Sequence, residues 1–200
     1  VATLGELKYG AGKGCDNLIC ITVGTGIGSG LVFNGKLIRG SKNAAGEIGH
    51  IKLTMFDGPI CGCGDWGCLE AYASGPSIVA EAKEYLKGGK SSKFKELATE
   101  ELSPYIVAQA ALQGDAVAKR IYTKMGEIIG FGLSSVVNLL NPEKIIIGGG
   151  VADAGEILLN PIRETISKRA MPIQANSVEI VPAQLGNTAG VIGASLLIES

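Results

Sequence analysis

Three observations predict an α/β fold for this 200-residue sequence. Short apolar, β-branched runs alternate with longer stretches of three- and four-residue hydrophobic spacing, the pattern of strands interleaved with helices. Glycine-bearing turns sit where those runs meet, at 24–30, 148–150 and 186–190. With 46% hydrophobic residues, 18% charged residues and 30 glycines, the chain is too apolar for disorder and long enough for one substantial core.

In chain order, 1–7 reads as a short helix and 10–14 as a glycine turn. Residues 17–23 form a buried strand that runs directly into Gly24-Thr25-Gly26-Ile27-Gly28-Ser29-Gly30. Leu31-Val32-Phe33 is a second strand, and Asn34-Gly35 a two-residue hairpin turn into a third at 36–39. A glycine loop between two strands is not the strand-to-helix setting of a dinucleotide fingerprint or a P-loop. Its backbone N–H groups, with the Thr25 hydroxyl, could still meet a phosphate, or the loop could be only a tight turn.

Helical spacing returns at 77–86, and 90–101 is a polar surface excursion with some helix. A helix at 104–113 leads through Gly114-Asp115 into a long one at 116–140, whose Val117, Ile121, Met125, Ile128, Ile129, Leu133, Val136, Val137 and Leu140 mark one broad buried face. That face serves a core or a homodimer. Gly126, Gly130 and Gly132 lower helix propensity but allow close approach of another backbone. A strand at 143–147 ends at Gly148-Gly149-Gly150, and a helix at 154–170 follows. Ligands bind beyond the carboxyl ends of strands in open α/β sheets, so this bare turn suits a base or a phosphate; it could equally be a plain connection. A strand at 178–181 and a helix from 186 through Ile198 complete the chain.

The chemistry concentrates between Gly46 and Glu70. This stretch holds the only histidine, His50, and three of the five cysteines, Cys61, Cys63 and Cys68, in a turn-rich run. One imidazole and three thiols make a closed tetrahedral set, which is a structural zinc site rather than a hydrolytic one. The alternative is redox-active or disulfide-bonded cysteines, although three of them leave one unpaired. Glu47 and Glu70 flank the cluster. Taken singly they read as solvated surface charges; together with one fixed imidazole N–H they suit a polyol such as a sugar.

The segments Ala45-Gly46-Glu47-Ile48-Gly49-His50 and Cys61-Gly62-Cys63-Gly64-Asp65-Trp66-Gly67-Cys68-Leu69-Glu70 resemble the signature of the ROK family of sugar kinases and sugar-responsive repressors. The resemblance implies His50, Cys61, Cys63 and Cys68 as ligands of a structural zinc, and Glu47, His50 and Glu70 as sugar-binding residues. It extends over nearly the whole of 1–200, and implies the C-terminal, ribonuclease H-like (actin-type ATPase) lobe of a sugar kinase, with a zinc-bearing insertion at about 50–70. Gly24, Thr25, Gly26 and Gly28 would then face phosphate, and Gly148, Gly149 and Gly150 adenosine. The implied activity is ATP-dependent phosphorylation of a hexose, most like the family's glucokinases, which convert glucose to glucose 6-phosphate in glycolysis with Mg²⁺ and ATP. The alternative is the sugar-sensing domain of a repressor, whose separate helix-turn-helix would bind DNA.

The catalytic Asp and the first phosphate loop of family kinases match nothing in these residues. The chain opens in what reads as mid-helix, so we expect a domain of a longer product, with negligible kinase activity alone. A net charge of −1 gives no polyanion-binding surface, and no apolar run reaches spanning length. A cytoplasmic protein with reduced thiols is expected, Cys20 being core.

Overall fold

The computed structural model describes residues 1–89, 92–97 and 101–197. Strands β1 (Leu18–Val23), β2 (Ile27–Phe33), β3 (Lys36–Leu37), β4 (Lys144–Gly148) and β5 (Glu179–Pro182) form one mixed sheet in the order β3-β2-β1-β4-β5. The β1–β2 and β2–β3 pairs are antiparallel hairpins, whereas β1–β4 and β4–β5 are parallel. Helix α1 (Ala2–Tyr9) precedes β1; parallel pairing requires crossovers, which α2 (Leu69–Ala73), α3 (Gly75–Lys87), α4 (Lys93–Leu97), α5 (Pro104–Leu112) and α6 (Ala116–Leu140) supply between β1 and β4, and α7 (Glu156–Arg169) and α8 (Pro172–Ser177) between β4 and β5, while α9 (Ala189–Leu196) follows β5.

Period-two alternation divides the core between the two faces of the sheet. Ile19, Ile21, Val23, Ile145 and Ile147 join the larger core, built with side chains of α2, α3, α5, α6 and α7. Leu18, Cys20, Val32 and Ile146 form a smaller one, against which Leu7 of α1 packs. Burial, with the Glu6 charge nearby, pushes the Cys20 thiol up to about 11, as befits an inert core sulfur.

The long helix lies where its periodicity puts it. Asp115 caps its first turn and Asn141, in the left-handed region at φ 44°, closes its last. Its apolar face is core: Ile121, Met125, Ile129, Leu133 and Val137 are buried, so this face offers no surface to a homodimer. A Cβ at Gly126 would lie 2.6 Å from the Leu158 carbonyl oxygen, and one at Gly130 2.8 Å from that of Ile162. The two glycines thus let α6 and α7 meet backbone to backbone.

Several boundaries differ from the sequence expectation. β2 starts at Ile27, because Val23 pairs with Ile27 and Thr22 with Gly28; the turn is therefore only Gly24-Thr25-Gly26, and Gly28 is a strand residue. β3 stops at Leu37, where the chain leaves the sheet edge. The helix expected from 154 begins at Glu156, after Gly155 at φ 61°. Val178 caps α8, which 3.6-residue periodicity did not disclose in six residues, so β5 begins one residue later. A 3₁₀ turn at Gly186–Thr188 precedes α9, and the expected end at Ile198 lies outside the described residues.

Candidate active site

Parallel pairing sets the site. Thr22 pairs with Gly148, so the turns that follow β1 and β4 lie side by side, and the Val151 N–H donates to the Val23 carbonyl at 3.1 Å. Gly149 sits at φ 87°, and a Cβ there would be 2.7 Å from the Val23 nitrogen; a side chain would force the two turns apart. The Gly24 N–H donates to the Gly26 carbonyl at 2.9 Å and the Gly24 carbonyl accepts from the Gly75 N–H at 2.7 Å, which ties the first turn to the start of α3. Thr25 stands exposed at its tip.

Two cavities open from this turn. The first, of about 380 Å³, is lined by Thr22, the 24–28 segment, Glu47, His50, Glu70 and Gly149. The second, of about 620 Å³, shares Gly24 and Thr25 and has walls of Pro76, Val79, Ala80, Leu102, Pro104 and Val151. Lys83, Glu101, Tyr105, Gly150 and Asp153 also line it. Gly148 lines neither: it is a buried β4 residue, whose added Cβ would press on Ala183 at 2.9 Å. The apolar wall of the second cavity was not foreseen. It gathers residues 75–80, 102–105 and 150–153, and among these only the glycine turn carried a signal in the sequence.

The three expected sugar-binding residues come together, each held differently. Glu47 follows Gly46, whose φ of 92° turns the chain, and precedes a single 3₁₀ turn, Ile48–His50. Ser29 donates to the Gly46 carbonyl and accepts from the Ile48 N–H, stitching this turn to β2. Glu70 lies in the first turn of α2; its Oε2 accepts from the Ile27 N–H at 2.8 Å and its Oε1 lies 3.5 Å from Cys61 Sγ. A Cβ at Gly26 would fall on that carboxylate, so the glycine is what admits it. His50 Nε2 is 3.8 Å from Glu47 Oε2, too long for a hydrogen bond but fitted to a hydroxyl placed between them.

The donor atoms of His50, Cys61, Cys63 and Cys68 all lie within 4.8 Å of one another. Cys61 Sγ is 3.6 Å from His50 Nδ1, and Cys63 Sγ is 3.7 Å from Cys68 Sγ. Tetrahedral zinc with Zn–S bonds of about 2.3 Å has edges near 3.8 Å, so the set fits this metal. Nδ1 is turned to the thiols, and Nε2 faces Glu47 and the first cavity. Burial pushes the Cys61 thiol up to about 11, whereas the Asp65 N–H holds Cys63 below its ordinary value. All five cysteines are free of disulfides.

A mixed five-stranded sheet whose strand-end turns face two adjoining cavities makes an α/β lobe, and its likeness to ROK sugar kinase structures places it in the actin-like ATPase class. The chain belongs to the ROK family, whose family model matches residues 1–200. It is 42% identical over 204 residues to the glucokinase of Halalkalibacterium halodurans, a match that takes in 100% of this chain and 61% of that protein. The xylose repressor of Caldicellulosiruptor bescii is 33% identical over 198 residues, or 98% of the chain and 49% of the repressor. Among solved structures, a ROK family glucokinase from Streptomyces griseus in complex with glucose and AMPPNP superposes with a TM-score of 0.90 at 38% identity, over 98% of this chain and 64% of that one. A ROK family transcriptional regulator, a homolog of the E. coli MLC protein, superposes with a TM-score of 0.89 at 31% identity, over 99% and 49% respectively. The chain thus spans about three-fifths of the length of the glucokinase it matches. Among the described residues, no helix is long and apolar enough to cross a membrane.

Proposed function

We propose that this chain is the C-terminal lobe of a cytoplasmic hexose kinase that transfers the γ-phosphoryl group of ATP to a hexose, glucose foremost, to give glucose 6-phosphate. One observation carries the reading: the carboxylate-and-imidazole cavity and the larger apolar cavity meet at Gly24-Thr25, so two ligands bound in them would face each other across that turn. Glu47 and Glu70 accept from sugar hydroxyls and His50 Nε2 donates to one. Gly24, Thr25 and Gly26 present backbone and hydroxyl to the phosphates, with Gly28 flanking them from β2. Gly149 and Gly150 lie beneath the nucleotide, and the wall of Val79, Ala80, Leu102 and Pro104 takes the adenosine.

Phosphoryl transfer depends on positioning and on neutralising the phosphate charge, which Mg²⁺ bound with ATP would supply. Zinc held by His50, Cys61, Cys63 and Cys68 would supply rigidity, fixing the imidazole and the two glutamates. The base that takes the sugar proton is not assigned to any residue of this chain, so the chain alone is expected to show negligible turnover. Measuring ATP consumption over a panel of hexoses, with the native upstream segment joined to this chain, tests the reading. Turnover with glucose supports it.

A second reading is the sugar-sensing domain of a ROK repressor, supported by the regulator structure that matches the same residues as closely in TM-score as the glucokinase does. Sugar binding without turnover, together with DNA binding by the longer protein, would replace the first reading with this one. Homodimer formation belongs to either, through surfaces other than the buried face of α6; light scattering of the longer protein tests it.

A further inference from the structure

Beside the cysteine cluster stands a cation that the kinase reading leaves without a role. Lys52 and Cys68 are paired as an antiparallel bridge, flanked by hydrogen bonds from Leu53 N–H to the Gly67 carbonyl at 2.8 Å and from Leu69 N–H to the Ile51 carbonyl at 2.9 Å. This fixes the lysine backbone against the last cysteine. Its ammonium then makes three contacts: to Cys68 Sγ at 3.1 Å, to the Trp66 carbonyl at 2.9 Å and to Asp65 Oδ2 at 2.7 Å. A lysine has three N–H donors. All three are directed at the 65–68 segment, and one of them at a sulfur of the four-donor cluster.

We propose that Lys52 is a positioning residue of the metal centre: its ammonium holds the Cys68 sulfur in place, offsets the charge of the occupied cluster, and so governs how fast metal is lost. The inference rests on reading the cluster as a zinc site. Zinc with three thiolates and a neutral imidazole carries one net negative charge, and an N–H donor to a ligating sulfur stabilises that charge where it resides. A half-exposed ion pair such as Lys52–Asp65 contributes little by itself. Three simultaneous contacts to one turn make it a clamp. Without the ammonium, the Asp65 carboxylate would face an anionic cluster unscreened, and Cys68 would detach from the metal more readily.

The test uses the zinc-loaded chain and its Lys52→Met, Lys52→Gln and Lys52→Arg variants, with zinc release followed by a chromogenic chelator. Outer partners of metal ligands typically change metal affinity by about 10- to 100-fold. Lys52→Met is expected to release zinc roughly tenfold faster, Lys52→Gln to fall between, and Lys52→Arg, which keeps charge and donors, to stay within about twofold of wild type. Cobalt substitution supplies a readout that folding alone would not move: the thiolate-to-cobalt charge-transfer band of Lys52→Met should shift to lower energy, because an unbonded thiolate gives up its electron more easily. Wild-type release rates with an unshifted band in Lys52→Met overturn the proposal. So does equal acceleration in the methionine and arginine variants with no band shift, which would make Lys52 a mere spacer. A wild-type chain that takes up no zinc at all instead overturns the metal reading beneath it.

Discussion

The sheet with its helices and the excursion between Leu37 and Leu69 are held by different physics. In the sheet, regular hydrogen bonding puts alternate apolar side chains on two faces, and Ile19, Ile21, Ile145, Ile147 and Ile129 are wholly or almost wholly buried. In the excursion, only Ile48, Cys61 and Cys68 among the hydrophobic residues are buried, whereas Met55 is 80% exposed, Phe56 72% and Ile60 83%. Beyond one 3₁₀ turn, its regular secondary structure amounts to two isolated bridges, Lys52–Cys68 and Ile60–Trp66. Such a segment buries too little surface to offset its own ordering entropy. A four-ligand metal site is the device that would replace the missing core, and it would place Glu47, His50 and Glu70 on a fixed frame.

The sharpest way to break this comparison is to deprive the four-donor cluster of the metal it is proposed to hold. Chelation, or Cys63→Ser, is expected to loosen the excursion while the far-UV circular dichroism of the lobe is retained. Limited proteolysis within 52–66 should accelerate roughly 100-fold, corresponding to the ~2.7 kcal/mol that a ligand contributes at a hundred times its dissociation constant. Loss of all secondary structure on chelation would show instead that the two regions are one cooperative unit.

A second test concerns the body of the lobe and a polar pin within it. Glu6 is fully buried in α1; its Oε2 accepts from the Ala11 N–H at 2.8 Å and the Gln184 N–H at 3.2 Å, and its Oε1 from the Leu185 N–H at 2.8 Å. One carboxylate thus ties α1 to the turn before α9, across the smaller core. Glu6→Ala would leave three N–H donors without their acceptor, and a loss of about 3 kcal/mol in unfolding free energy is expected. Urea denaturation checks it. Increased proteolysis confined to 52–66 in this variant would contradict the separation of the two regions.

The regular body was the legible part. Periodicity placed α6 at its full extent, 116–140, because a 25-residue amphipathic pattern with an Asp cap and a following Pro admits few alternatives. The clustering of His50, Cys61, Cys63 and Cys68 was also readable, since one imidazole and three thiols in a turn-rich run are the spacing of a metal-donor set. Local pattern could not show where the strands pair. The register that makes Gly28 a strand residue, and buries Gly148 in β4, depends on β1 meeting β2 and β4. Nor could it show the apolar cavity, whose walls come from three segments that meet only once α3, α5 and the β4 turn are assembled. The Glu6 pin was invisible for the same reason: its partners Gln184 and Leu185 lie some 180 positions away.

The smallest expected effect lies within the body, where Asp115 joins α6 to α4. Asp115 Oδ1 accepts from the Ala118 N–H at 2.8 Å, capping α6, and Oδ2 accepts from the Lys93 N–H at 2.8 Å, anchoring the start of α4. Burial pushes this carboxyl up, but the Ala118 and Lys93 N–H donors outweigh it, and the group titrates below its ordinary value. A depressed folded value means that the charged form stabilises the fold above the unfolded pKa of about 3.9, and that this contribution is lost as pH falls through the folded value. Asp115→Asn keeps an acceptor for the cap but turns an NH₂ toward Lys93 or Ala118, so it should cost about 1 kcal/mol at pH 7. The gap between variant and wild type should close as pH falls through the folded value, because protonation removes the wild-type charge while the asparagine does not titrate. Thermal unfolding followed from pH 7 down through the acid range measures both ends of that comparison. A gap that persists at low pH would assign the cost to the lost acceptor geometry rather than to charge.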